Sequence, residues 1–123
     1  MTPSACYHEF QSWPIRRVSL HRKEVHVETY FILGNWTQQG MADIKSGPER
    51  IDDARRALER AGGAWRGWYL LMGRYDFAVI LQVPDIAVVS QFLLAIGALG
   101  NARTETLRAL TEVEFRDLVA KHA

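Results

Sequence analysis

The sequence predicts an α+β fold: a four-stranded antiparallel sheet with two helices on one face, in the order β-α-β-β-α-β, and a further helix at the C-terminus. Three observations predict it. Four segments are rich in β-branched and aromatic residues and alternate, or run continuously apolar, as strands do. Two segments between them are apolar at helical spacing or throughout, and each opens on a capping residue. Glycine or proline turn signals punctuate the connections. This is the ferredoxin-like split βαβ order, which right-handed crossovers favour over its alternatives.

The first strand is expected over about 28–35, within "VETYFILGNW", which closes on a Gly-Asn turn signal. Thr37 can cap a short helical turn that runs to Ile44. In "SGPERIDDARRALERAGG" Ser46 precedes Glu49 by three residues, a capping-box pattern, and Pro48 lies in the first turn. Ile51, Ala54, Leu58 and Ala61 then recur at helical spacing, and Gly62-Gly63 supplies the stop, so the first main helix spans about 47–61. "AWRGWYLLMG", 64–73, is the second strand and "YDFAVILQV", 75–83, the third, joined by a tight turn near Gly73-Arg74. Asp85 caps a second main helix that ends near Ala98, before Gly100. "ARTETLRAL", 102–110, alternates and forms the fourth strand. Thr111 with Glu114 repeats the capping-box pattern and opens the last helix.

One layer of helices covers one face of such a sheet. In strand three Phe77, Val79 and Leu81 point one way, and Ala78 and Ile80 the other, so both faces are apolar. Strand two alternates in the same manner, with Trp65, Tyr69 and Leu71 against Trp68, Leu70 and Met72. The simplest cover for the second face is another copy of the chain, giving a homodimer with the form of a dimeric α/β barrel. Residues 86–99, apolar nearly all round, point to a subunit contact as well. Residues 1–26 and the C-terminal helix are the other candidate covers.

A chain of 123 residues suits one domain, and 48% hydrophobic with 24% charged residues belongs to a globular rather than a disordered protein. Residues 1–27 carry a net +2 and residues 28–123 a net −1, so the body lacks the basic stripe of a nucleic-acid binder. Strand three also lacks the basic-Gly-aromatic signature of RNA-recognition sheets. Cys6, the sole cysteine, allows no internal disulfide and fits a reducing cytoplasm. The longest apolar run, Ile86–Leu99, is shorter than the roughly 20 residues a bilayer span needs. The N-terminus has no secretory h-region. No nucleic-acid or membrane partner is therefore expected.

"NWT" with Gly40 following, "GRYDFAVI" and "LGNARTETLRAL" occur in this order within 27–121. Together they resemble the GYD domain family of small bacterial proteins. The resemblance implies a ferredoxin-like fold paired as a dimeric α/β barrel, and it implies no activity. Family chains begin at the first strand. Residues 1–26 are accordingly expected to be a disordered extension, or upstream sequence included by a misplaced start, with Val25 or Val27 as the true one. Residues 27–123 form the GYD-like domain.

The chemistry open to this domain is narrow. No histidine or cysteine occurs between 27 and 121, and His122 stands at the end. A histidine base, a cysteine nucleophile and histidine ligands for zinc or haem are excluded there. No nucleophile elbow, phosphate loop or His-Glu-x-x-His motif is present. Neither metal nor cofactor is expected. The candidate site residues are Asp76, as a general base, and Tyr75, Asn35, Trp36, Arg103 and Glu105, as ligand-binding groups. Regular alternation sends Tyr75 and Asp76 to opposite faces and sets Asp76 with Ala78 and Ile80, an apolar setting that suits a base. An Asp after a glycine turn also serves to fix the turn by accepting backbone or arginine hydrogen bonds. Arg103 and Glu105 share a face, either as an ion pair or as a grip on an anionic ligand. Trp36, Trp65, Trp68 and Tyr69 are core or dimer contacts, or the lining of an aromatic pocket. The leading expectation is a homodimeric small-ligand-binding or accessory module. The alternatives are a cofactor-free monooxygenase- or isomerase-like enzyme with Asp76 as base and Arg103 or Tyr75 stabilising an anion, and a structural or assembly protein.

Overall fold

A computed structural model describes residues 26–122. They fall in two compact units, Val27–Ala109 and a second made of His26 with the residues from Leu110 onward. The expectations placed on residues 1–25, a disordered extension or a misplaced start, lie outside the described residues. In the first unit the chain runs β1 (Glu28–Trp36), α1 (Gln38–Ala42), a 3₁₀ turn (Ile44–Ser46), α2 (Gly47–Arg60), β2 (Ala64–Leu70), β3 (Phe77–Val83), α3 (Ile86–Leu99) and β4 (Ala102–Ala109). The sheet order is β2-β3-β1-β4, and every pairing is antiparallel. This is the α+β, ferredoxin-like arrangement that the element order predicts.

The core lies between the sheet and the two long helices. Tyr30 and Ile32 of β1 and Phe77, Val79, Leu81 and Val83 of β3 bury against Leu58 of α2 and Val89 of α3. The stripe at 51, 54 and 58 turns α2 onto the sheet, and Leu58 is fully buried. Burial of one such side chain contributes about 1.5–3 kcal/mol.

The helix ends follow the cap residues with one exception. The Asp85 carboxylate accepts the amides of Ala87 (2.9 Å) and Val88 (3.2 Å), and Gly100 ends α3 in a left-handed conformation. Ser46 stands at the N-cap of α2 but makes no cap bond. The 3₁₀ turn before it gives Ser46 a near-helical backbone, and its hydroxyl donates to Asp43 instead. The expected capping box with Glu49 therefore does not form. In the second unit α4 (Glu112–His122) does open on a reciprocal box: Thr111 N–H donates to Glu114 (2.8 Å) and Glu114 N–H to the Thr111 hydroxyl (3.1 Å).

Two strand expectations need correction. β3 begins at Phe77 rather than Tyr75, because the Asp76 amide bonds to the end of β1 before the regular ladder starts. β2 contains an irregularity between Trp65 and Gly67, so its faces do not simply alternate. Trp65 lies opposite Leu81 and Trp68 opposite Val79, which sets both indoles on the helix side of the sheet.

The other face of the sheet carries an apolar row. Phe31 stands between Ile80 of β3 and Leu107 of β4, and Leu33 lies opposite Ala78. Phe31 is 38% and Leu107 42% exposed. Below this row Gln82 donates to Thr29 (3.0 Å) and accepts from Arg66 (2.8 Å), so the buried polar pair Thr29–Gln82 is satisfied. Burial lowers the affinity of the Arg66 guanidinium for its proton.

Candidate functional site

The end of β1 is where the motif blocks meet. The Asp76 amide donates both to the Gly34 carbonyl (2.8 Å) and to Asn35 Oδ1 (3.0 Å). Asp76 Oδ2 accepts the Trp36 amide at 3.0 Å, and its carbonyl accepts the Leu71 amide at 2.8 Å, closing the β2–β3 loop. Gly73 in that loop has φ +140°, which a residue with a Cβ adopts at a cost. One turn later the Thr37 amide donates to Asn101 O (3.0 Å), and the Thr37 hydroxyl donates to Gly100 O (2.7 Å) while capping α1 at Gly40 N. Gln39 adds bonds to Leu99 O and Asn101 Oδ1. The Asn-Trp-Thr block is thereby joined to both Gly-Arg-Tyr-Asp and Leu-Gly-Asn.

Of the residues singled out from sequence, Asn35, Trp36 and Asp76 form one hydrogen-bonded group. Tyr75 and Glu105 form a second: the tyrosine hydroxyl donates to Glu105 across to β4, and Arg74 lies over the Tyr75 ring at 5.2 Å. Tyr75 and Asp76 thus serve different partners. Arg103 stands opposite Asn35 in register, and Glu105 opposite Leu33, so the two share a face. Glu105 takes the Tyr75 hydroxyl. Among the described residues no metal-holding group of three or more His, Cys, Asp or Glu exists, and no helix is long and apolar enough to cross a membrane.

Beside this junction, between the sheet and α2 and α3, lies a cavity of about 110 Å³. Three indoles, Trp36, Trp65 and Trp68, and two phenyl rings, Phe77 and Phe92, form its aromatic wall. The Phe77 ring sits 5.4 Å from Trp36 and 5.7 Å from Trp68, nearly parallel to the latter at 17°. Trp65 meets Phe92 edge to face, 6.4 Å apart at 80°. Ile51, Ala54, Leu93 and Ile96 supply the aliphatic side, and Arg50, Asn101 and Thr104 the polar groups. Arg50 donates to Asp43 O (2.8 Å) and Gly40 O (3.2 Å), and lies 3.6 Å from the Asp43 carboxylate.

Glycine makes this wall possible. A Cβ on Gly34 would lie 2.2 Å from Cζ of Phe77, directly across the strand pair, so the bare backbone of β1 is the seat of that ring. A Cβ on Gly40 would lie 2.1 Å from the Asn101 carbonyl oxygen, where α1 approaches the start of β4.

Of the six candidate site residues Trp36 alone lines the cavity, together with Trp65 and Trp68, which sequence offered as the lining of an aromatic pocket. Phe77, Phe92, Ile96 and Arg50 escaped notice as site residues. Phe92, Leu93 and Ile96 carry the spacing of an ordinary helix core, and Arg50 looks like a solvated first-turn residue. A signal for Phe77 was present: an aromatic residue beginning β3 after an Asp, with a glycine in the facing strand.

Residues 30–119 match the GYD domain. A protein of Thermus thermophilus, named "Glutamine synthetase and cystathionine beta-lyase binding protein", is 31% identical over 94 residues, which cover 76% of this chain and 96% of that protein. Two crystal structures of proteins of unknown function are also similar. One, from Nitrosomonas europaea, is 15% identical with a TM-score of 0.43 and covers 71% of this chain and 93% of its own. The other, from Rhodopseudomonas palustris, is 14% identical with a TM-score of 0.43 and covers 89% and 96%. The extent of the family match and the identity to the Thermus protein agree with the three motif blocks joined at the end of β1: the chain belongs to the GYD domain family.

Proposed function

We propose that this protein is a homodimeric binding module whose aromatic cavity holds a small apolar molecule and whose assembly acts on a protein partner. The observation that carries the reading is the cavity itself: five aromatic rings enclose it. Asp76, the candidate base, holds the Trp36 amide and does not line the cavity. The carboxylate thereby positions a wall residue. The enzyme reading, with Asp76 as base and Tyr75 or Arg103 on an anion, needs that carboxylate released from the amide. Asn35, Tyr75 and Glu105 are likewise engaged with other side chains or backbone around the junction.

Pairing of two sheet faces is supported by the Ile80–Phe31–Leu107 row, whose exposed side chains gain by meeting their copies across a twofold axis. A protein partner is supported by the name of the Thermus relative, which describes binding to two enzymes. The bacterial source of that relative and the single cysteine favour a bacterial cytoplasmic setting.

Light scattering tests the pairing. The wild type is expected at twice the 14.0 kDa chain mass, and Phe31→Glu at one chain mass with its circular dichroism intact. A wild-type monomer at micromolar concentration would overturn it. Capture of glutamine synthetase or cystathionine β-lyase from the same organism by the immobilised wild type tests the partner, and failure of both purified enzymes to bind removes it.

A further inference from the structure

We infer that the cavity between the sheet and helices α2 and α3 is a site for one planar, uncharged aromatic ring bearing a single small polar substituent, of phenol-like chemistry. The inference rests on the reading of this chain as a ligand-binding module and goes on to name what the module takes.

Size sets the first limit. Apolar cavities of roughly 150 Å³ accept a benzene ring. The cavity here is smaller, about 110 Å³, but only partly enclosed, so one ring fits if its substituent stays outside at the mouth. Thr104 and Leu99 are exposed and so mark that mouth. A fused polycycle or a long acyl chain exceeds the space.

Wall geometry sets the second. Trp36 and Trp68 pack against Phe77, the first tilted by 41° at 5.4 Å and the second nearly parallel at 5.7 Å, and all three line the cavity. Trp65 and Phe92 present an edge-to-face pair. A planar ring entering among them finds both offset-stacked and edge-on partners, each worth about 0.5–1.5 kcal/mol beyond its area burial. A saturated ring of the same size gains the area alone.

Charge sets the third. Among the described residues no carboxylate lines the cavity, so an ammonium finds ring faces for cation–π contact but no counter-ion, and it meets the Arg50 guanidinium. Arg50 is already held by two backbone carbonyls and faces the Asp43 carboxylate at 3.6 Å. A ligand carboxylate would lose its hydration for a cation that is already balanced. A hydroxyl or ring N–H finds its pairing at Thr104 or Asn101, the neutral polar residues of the wall.

The test uses the full chain and four probes of similar size: p-cresol, 4-methylcyclohexanol, benzylamine and benzoate. The indole N–H signals of Trp36, Trp65 and Trp68 are followed by NMR as each is titrated, with the thermal midpoint alongside. p-Cresol is expected to move those signals saturably and to bind at least tenfold more tightly than the other three. Ala54→Leu, which fills the cavity from α2, is expected to weaken p-cresol at least tenfold. Ile96→Phe does the same from α3, so a folding defect in one variant leaves the other to decide. Equal or tighter binding of 4-methylcyclohexanol, or of either charged probe, overturns the aromatic, uncharged class while leaving a ligand-binding module standing. Failure of all four probes to move the indole signals overturns the ligand site itself.

Discussion

The carboxylate of Asp76, just before β3, accepts the backbone amide of Trp36, the last residue of β1, at 3.0 Å. The two residues lie 40 positions apart, and the bond holds the end of one strand against the start of its neighbour. The Trp36 side chain then forms part of the cavity wall. An acid that sequence places among catalytic candidates holds, in the fold, the backbone of a residue of the aromatic wall.

Replacing Asp76 separates those roles. Asp76→Ala leaves a half-buried amide without its acceptor and is expected to cost about 1–3 kcal/mol of stability. Asp76→Asn retains an oxygen at the same place and is expected to cost less than about 1 kcal/mol. Urea denaturation measures both. Equal, near-zero losses in the two variants would remove the positioning role.

A second expectation concerns Gly34 and Phe77. The Cβ of Gly34→Ala meets the Phe77 ring at 2.2 Å, well inside contact distance. Overpacking of this kind costs about 1–3 kcal/mol. The Phe77 ring must shift, and with it the stack on Trp36 and Trp68. Phe77→Leu removes the clashing ring atoms, so the double variant is expected to lose less stability than the two single losses added together. Strict additivity in a double-mutant cycle would contradict the contact.

Tyr30 gives a pH dependence. Burial raises its pKa above the ordinary 10.0, and its hydrogen bond to Glu28 (2.8 Å) adds to the effect. The folded state therefore holds the phenol proton more tightly than the unfolded chain does. The stability this contributes is complete below about pH 10 and falls as the pH rises through the raised folded value. Wild type is expected to lose stability in that alkaline window more steeply than Tyr30→Phe. Parallel stability curves for the two proteins between pH 9 and 11 would refute the coupling.

The order and type of the strands and main helices were legible because hydrophobic period, caps and turn residues agreed along the chain. Asp85 and the Thr111–Glu114 box carry their meaning locally, and both form. Ser46 carries the same local pattern, but the 3₁₀ turn leading into α2 decides its backbone. The pairing of Trp65 and Trp68 on one side was hidden because strict alternation assigns them to opposite faces, and an irregularity cancels that rule. An aromatic-lined pocket stood among the readings of Trp36, Trp65 and Trp68, but its place and size were hidden for another reason. Its walls are core residues that stop short of full contact, and a shortfall of packing leaves no mark in residue type or spacing. Of the motif residues, Asn35 and Trp36 reach Asp76, and Thr37 reaches Gly100, across long stretches of chain.

That last feature bears on how the molecule is made. The bonds from Thr37 to Gly100 and from Gln39 to Asn101 close loops of more than 60 residues. Ordering such loops costs chain entropy before any contact returns it, so closures of this span slow folding. A nascent chain carries β1 through α3 before it holds the acceptors that Thr37 needs. The junction at the end of β1 acts as a latch, set once Gly100 and Asn101 are free to reach Thr37 and Gln39. Until then the Thr37 amide and hydroxyl wait for their acceptors, whereas the Trp36 amide already has Asp76, and a chain interrupted before Gly100 cannot close the latch.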